Sequence, residues 1–241
     1  MRNQAVIDQI SELIDTTRKV YLSSASYINA DYNREISFAK EYKGRQLFEL
    51  LQNADDESVC GEGKLKIELK GDRLYVSNTG TPFSVDGIQS LMIANNSTKK
   101  VRKNMIGNKG LGFRSVLNWS NSVVIATEDF AVEFSKQNSI EFLNSLFSEK
   151  PKLRDELIDR QTDKYPIAIL SCPKIIEQEV ENGYDTTIII NCLNNEIVSS
   201  VKTQIEQLRF EELILLPNLS TVEVITENYH KKFKKLKDDN Q

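Results

Sequence analysis

Glu49, Asn53 and Asp56 recur at i, i+4 and i+7 in the run Glu49-Leu50-Leu51-Gln52-Asn53-Ala54-Asp55-Asp56. On a helix that spacing puts the three polar side chains on one face and leaves Leu47, Leu50, Leu51 and Ala54 for a core. A carboxylate one turn from an amide oxygen suits a hydrated metal site: Mg²⁺ takes few protein ligands, keeps waters and phosphates, and a nearby carboxylate can accept a proton from water. By itself a polar stripe is also the ordinary outer face of a helix, so its meaning depends on what else the chain supplies.

Gly107-Asn108-Lys109-Gly110-Leu111-Gly112 supplies a second element, three glycines in six residues ahead of a helical pattern from Phe113 to Trp119. Such glycines let successive backbone N–H groups point at one anion, and a helix N-terminus adds partial positive charge, which fits a triphosphate. The segment is not a Walker A loop, because the Gly-Lys-Ser/Thr ending is missing and Lys109 lies inside the glycine run. Nor is it a Rossmann turn, since a polar stretch from Asn95 to Asn104, and not a strand, leads into it. Lys99, Lys100, Arg102 and Lys103 in that stretch join Lys109 as five cations beside the glycines. Taken singly, each is an ordinary surface charge.

Two shorter segments complete the set. Ser77-Asn78-Thr79-Gly80-Thr81-Pro82-Phe83 ends a strand in a turn, and Asp185-Thr186-Thr187-Ile188-Ile189-Ile190 opens a β-rich run. Asn and Gly are favoured in turns and Thr in strands, so neither segment points to a ligand alone.

The elements that must position these residues are legible in the hydrophobic pattern. Val6, Ile10, Leu13, Ile14 and Thr17 to Val20 recur at helical spacing, and a further helix is expected from about Arg45 to Ala54. Lys64 to Lys70 and Arg73 to Ser77 alternate around Gly71-Asp72 and predict a hairpin. Further β-rich runs fall at 122–127, 130–134, 167–170, 186–190 and 221–225, with an amphipathic run from Val201 to Leu216 and a basic stretch from Lys231 to Lys237 running into a polar tail. Hairpins and alternation favour an α/β (α+β) two-layer sandwich, a mixed, mostly antiparallel sheet with helices on one face. A boundary is expected near Leu216-Pro217, giving one domain over 1–216 and a late strand and tail over 217–241.

With 241 residues, 39% hydrophobic and 27% charged, the chain has the composition of an ordinary globular protein. A net charge of −4 provides no general positive field for nucleic acid or an anionic membrane. The acids Asp8, Glu12 and Asp15 argue against a signal peptide or a membrane span at the N-terminus. Cys60, Cys172 and Cys192 are too scattered for a disulfide framework or a CxxC metal site and favour a reducing, cytoplasmic compartment.

In order and spacing the four segments resemble the motifs of the GHKL superfamily, which comprises gyrase B, the ninety-kilodalton heat-shock chaperone, histidine kinases and MutL. Glu49-x-x-x-Asn53 with Asp56 is similar to the N box, Asn78-Thr79-Gly80 to the first glycine box, Gly107-x-x-Gly110-x-Gly112 to the second, and Thr186 to the late threonine. Gln52 to Asp56, Asn78 to Phe83 and Gly107 to Val116 look most like the sacsin-type N-terminal ATPase branch. The resemblance implies the Bergerat fold, with ATP and Mg²⁺ as ligands. Glu49 would polarise the attacking water, Asn53 would ligate Mg²⁺, and Asn78 with Thr186 would hold the adenine. Asp56, Gly80, Lys99, Gly107, Asn108, Lys109, Gly110, Leu111, Gly112 and Phe113 would provide the remaining nucleotide contacts.

Two departures stand out: Asn78 occupies a position where most of the superfamily has Asp, and Pro82 one where many members have glycine. An Asn oxygen still accepts from the adenine amine, but without the carboxylate's charge. The expected function is an ATPase switch in which nucleotide orders a lid from about 95 to 112 and a downstream domain, protein partner or nucleotide-dependent dimer reads the change. A histidine kinase would need an acceptor histidine before Glu49, whereas the chain's one histidine is His230. A non-catalytic nucleotide-binding or interaction module is the alternative, and an intact Glu49 argues against it.

Overall fold

The computed structural model describes residues 2–92, 112–159, 161–162 and 164–235. Its strands are β1 (Gly63–Lys70), β2 (Arg73–Asn78), β3 (Ser120–Ala126), β4 (Ala131–Ser135), β5 (Lys174–Ile175), β6 (Thr186–Cys192), β7 (Leu219–Thr226) and β8 (Tyr229–Lys234). They form one sheet in the order β5-β4-β3-β6-β2-β1-β7-β8. Neighbours are antiparallel except β1 with β7, which run parallel. The hairpin of β1 and β2 turns at Gly71, whose φ of 59° suits a residue without Cβ.

Strand alternation sorts the two faces. Leu65, Ile67, Leu74, Val76, Ile188, Ile190, Val123, Ile125, Val222 and Val224 point into the core. Against them pack Ile10 of α1 (Gln4–Ser23), Leu47, Leu50, Leu51 and Ala54 of α3 (Gln46–Glu57), Ile88 and Leu91 of α4 (Val85–Met92), and Val201 and Ile205 of α7 (Asn195–Glu206). The architecture is therefore a helical layer on one face of a mostly antiparallel sheet. A second, smaller cluster joins Tyr21 and Ile28 of α1 and α2 (Ala25–Glu41) to Leu146 of α5 (Lys136–Glu149) and Leu153 of α6 (Pro151–Leu157).

On the other face Lys66 pairs with Glu68 at 2.8 Å, and the segment entering β6 crosses above it, with the Glu181 N–H donating to Thr187 Oγ1 at 2.9 Å. Among the described residues no helix is long and apolar enough to cross a membrane.

Several expectations change. The apolar run 167–170 is not a strand; it leads into a short 3-10 helix, Ile169–Ser171, whose N–H groups at Ile169 and Leu170 are taken by the buried Glu35 carboxylate at 2.8 and 2.9 Å. The pattern from Phe113 to Trp119 becomes a 3-10 helix, Gly112–Asn118. The run 201–216 divides between α7 and the short α8 (Phe210–Ile214). The basic stretch after 230 is mostly β8, an edge strand on which lysines deter further pairing. Beyond Leu216 the chain continues the same sheet, because β7 pairs with β1 from Leu219 onward.

Candidate functional site

Asn78 and Thr186 are directly paired across β2 and β6, at the end of the sheet where the apolar core face gives way to polar side chains. Both are buried, at 6% and 3% exposure. The Asn78 amide donates from Nδ2 to the Thr79 carbonyl at 3.3 Å, which turns Oδ1 into the acceptor left for a ligand. Thr186 Oγ1 accepts from the Phe83 N–H at 2.9 Å and keeps its hydroxyl proton to donate. One acceptor and one donor side by side match the edge of an adenine.

The helix above this corner is fixed at its C-terminal end by several ties. Gly80, at φ 126°, approaches so closely that a Cβ there would lie 2.1 Å from the Glu57 carbonyl oxygen. The Thr81 N–H donates to that same oxygen at 2.8 Å, and the Gly80 N–H donates to Asp185 Oδ2 at 2.8 Å. Ser58 Oγ, just past the helix, reaches Thr79 O at 3.2 Å. Asp55, 5% exposed, accepts from the Asn218 and Leu219 N–H groups at 2.8 and 2.9 Å and so joins α3 to the start of β7.

With α3 held this way, Glu49 comes to lie under Gly112. A Cβ on Gly112 would fall 1.9 Å from Glu49 Oε2, so a side chain would fill the space the carboxylate occupies. The Glu49 side chain is 12% exposed, and Arg45 Nη2 stands 3.4 Å from its Oε1. Burial pushes the Glu49 carboxyl above the usual range, and Arg45 offsets part of that rise. A carboxylate with a raised pKa is a better proton acceptor once ionised. Asn53 is half-buried one turn further along the same face, and Asp56 is exposed.

No protein-family model matches the chain. A stretch of it is 34% identical over 90 residues to the protein NO VEIN of Arabidopsis thaliana, which amounts to 36% of this chain and 3% of that protein. The chain therefore corresponds to a small part of that relative's length.

Of the residues expected at the nucleotide, Glu49 and Gly112 are brought together, Asn78 and Thr186 are brought together, and Gly80 joins the turn to α3. The Phe113 side chain is 3% exposed in the hydrophobic core, where it anchors the segment, so only its backbone could meet a ligand. Lys99, Gly107, Asn108, Lys109, Gly110 and Leu111 lie outside the described residues. A cavity of about 970 Å³ opens on the other flank of α3, lined by Leu47, Phe48, Leu51, Leu208 and Arg209. Among the described residues none of the candidates lines it; positions 47, 48 and 51 lie on the opposite side of the helix from 49, 53 and 56.

The donor set fits a Mg²⁺-nucleotide in kind: an acceptor and donor for the base, an amide oxygen for the metal, and a glycine backbone laid against the carboxylate. Among the described residues no cluster of three or more His, Cys, Asp or Glu side chains forms a metal site of another kind. Arg45, Asp55 and Asp185 are participants that the sequence reading passed over. Arg45 could have been found from its i, i+4 spacing to Glu49. The partners of the other two are remote in sequence and left no local signal.

Proposed function

We propose that the chain binds ATP with Mg²⁺ and hydrolyses it in the manner of GHKL ATPases. The observation that carries this reading is the contact of Gly112 with the Glu49 carboxylate, made by residues 63 positions apart that belong to the two segments read as catalytic and phosphate-binding. The Asn78–Thr186 pair supports it independently. In this reading Asn78 Oδ1 accepts from the adenine amine and the Thr186 hydroxyl donates to a ring nitrogen. Asn53 offers its amide oxygen to the metal, which when bound neutralises phosphate charge. Glu49 takes the proton of the attacking water. The glycine run 107–112 is assigned to the phosphates, with Lys99 and Lys109 adding charge, on its sequence alone. The turn of the cycle would be read by a downstream domain, a partner or a second copy, and the three free thiols Cys60, Cys172 and Cys192 accord with a cytoplasmic setting.

Calorimetric titration tests the binding half. ATP should bind more tightly with Mg²⁺ than with EDTA, and Asn53→Ala should remove most of that difference because the metal has few protein ligands to lose. If affinity is the same with and without Mg²⁺ in the parent protein, the metal assignment fails.

Gly112→Ala separates geometry from folding. The atom in the way is the end of a flexible side chain, so the fold should survive while Glu49 is pushed off line. Turnover is expected to fall about 10²-fold, with Tm changing by less than about 4 °C. Unchanged turnover would mean the contact has no part in the chemistry.

Arg45→Ala predicts a pH effect whose sign is fixed. Arg45 lowers the Glu49 pKa, so removing it raises that pKa further. The acid limb of the kcat–pH profile should therefore move to higher pH, with the plateau preserved. A shift to lower pH, or none, would show that Glu49 is not the group titrating in that limb.

A further inference from the structure

Arg114 lies two residues beyond Gly112 and is 2% exposed. Its Nη2 donates to the Leu91 carbonyl at 2.7 Å and reaches the Ser90 carbonyl at 3.4 Å, both in the last turn of α4. Its charge is balanced from α2 by Glu35 and Asp31, which oppose the lowering of the Arg114 pKa by burial. Both carboxylates are themselves held: Glu35 by the Ile169 and Leu170 N–H groups, Asp31 by the Tyr21 hydroxyl at 2.9 Å and Arg34 at 3.0 Å. Helix α4 in turn starts just after Phe83, whose N–H is bound by Thr186.

A buried arginine is an expensive way to fill space. Removing a cation from water costs several kcal/mol, and an apolar side chain of similar volume would pack the same position without it. What the guanidinium adds is a fixed direction, a charge-assisted bond to a carbonyl at one defined distance. That bond joins the far end of the helix that begins beside the Asn78–Thr186 pair to the element carrying Gly112.

We propose that Arg114 is the positioning residue of this site: by binding the last carbonyls of α4 it holds the Gly112 backbone against the Glu49 side chain. Its catalytic consequence rests on the reading of Glu49 as the base, whereas its geometric consequence does not. Arg114 touches no substrate; it acts through Gly112.

The test uses the full chain with Arg114→Met and Arg114→Lys. Selective labelling allows the nuclear Overhauser contact between Gly112 Hα and Glu49 Hγ to be read directly, since a Cβ at Gly112 would lie 3.2 Å from the Glu49 Cγ. In Arg114→Met that contact should vanish and kcat should fall about 10²-fold, while ADP affinity changes by less than about threefold. Arg114→Lys should restore the contact and kcat in part, because an ammonium keeps a charged donor for an α4 carbonyl but lacks the planar fork. The proposal is overturned if Arg114→Met keeps both the contact and wild-type kcat. It is equally overturned if contact, ADP affinity and Tm fall together and lysine does no better than methionine, which is the signature of fold support alone. If the contact is lost but Glu49→Ala hydrolyses ATP as fast as the parent, or the parent does not hydrolyse ATP, the hold on Gly112 stands and the reading of Glu49 is what fails.

Discussion

Glu49→Ala should reduce ATP turnover by about 10²- to 10⁴-fold, the usual contribution of a positioned general base, while leaving the dissociation constant for ATP within about threefold of the parent. The asymmetry follows from where the carboxylate sits. Glu49 lies one turn from Asn53 on the outward face of α3, under Gly112, and away from the Asn78–Thr186 pair assigned to the base. Its removal takes away a proton acceptor without disturbing the polar corner. The core positions of the same helix, Leu47, Leu50, Leu51 and Ala54, are untouched, so stability should change little. Phosphate release and calorimetry on one preparation measure both quantities. Turnover equal to the parent would remove Glu49 from the chemistry, and a parallel loss of binding would make it a ligand contact instead.

The second large effect is on folding. Gly80→Ala places a Cβ 2.1 Å from a backbone oxygen, at a φ of 126° that other residues rarely adopt. Backbone strain of about 1–3 kcal/mol and overlap of about 1–3 kcal/mol add to roughly 2–6 kcal/mol of destabilisation. A loss near 4 kcal/mol lowers Tm by about 8–16 °C in a chain of this size. The contrast with Gly112→Ala is the useful part. At Gly112 the obstructing atom is a side-chain end that can move; at Gly80 it is the carbonyl of Glu57, fixed by the Thr81 N–H at 2.8 Å. In the proposed reading one glycine serves the chemistry and the other the fold. Thermal scans of the two variants should separate them clearly, and similar Tm values would contradict the assignment of Gly80 as the joint between α3 and the β2 turn.

How much of this the sequence carries depends on whether the signal is local. Period-2 alternation at Lys64 to Lys70 and Arg73 to Ser77 is visible because one face is buried and the other charged, and β1 and β2 follow. β8 escaped the same test because His230, Lys231, Lys232 and Lys234 surround a single buried residue, Phe233, so an edge strand looks like a solvated basic tail. The run at 167–170 misled for the opposite reason. It is apolar enough for a strand, but Glu35, more than a hundred residues earlier, caps a 3-10 turn just there. At the site, Glu49, Asn53, Asn78, Gly80, Gly112 and Thr186 belong to short motifs that can be read locally. Asp55, Asp185 and Arg114 act through backbone groups from other segments, which only the folded chain brings near.

The most direct test of the central claim is an amide chemical-shift titration of the full chain with a slowly hydrolysed ATP analogue and Mg²⁺. Saturable shifts are expected at Asn53, Asn78, Gly80, Gly112 and Thr186, with the residues lining the cavity at Leu47, Leu51 and Leu208 unaffected. An absence of shifts at saturating analogue, or shifts centred on that cavity while Asn78 and Thr186 stay still, would contradict the account.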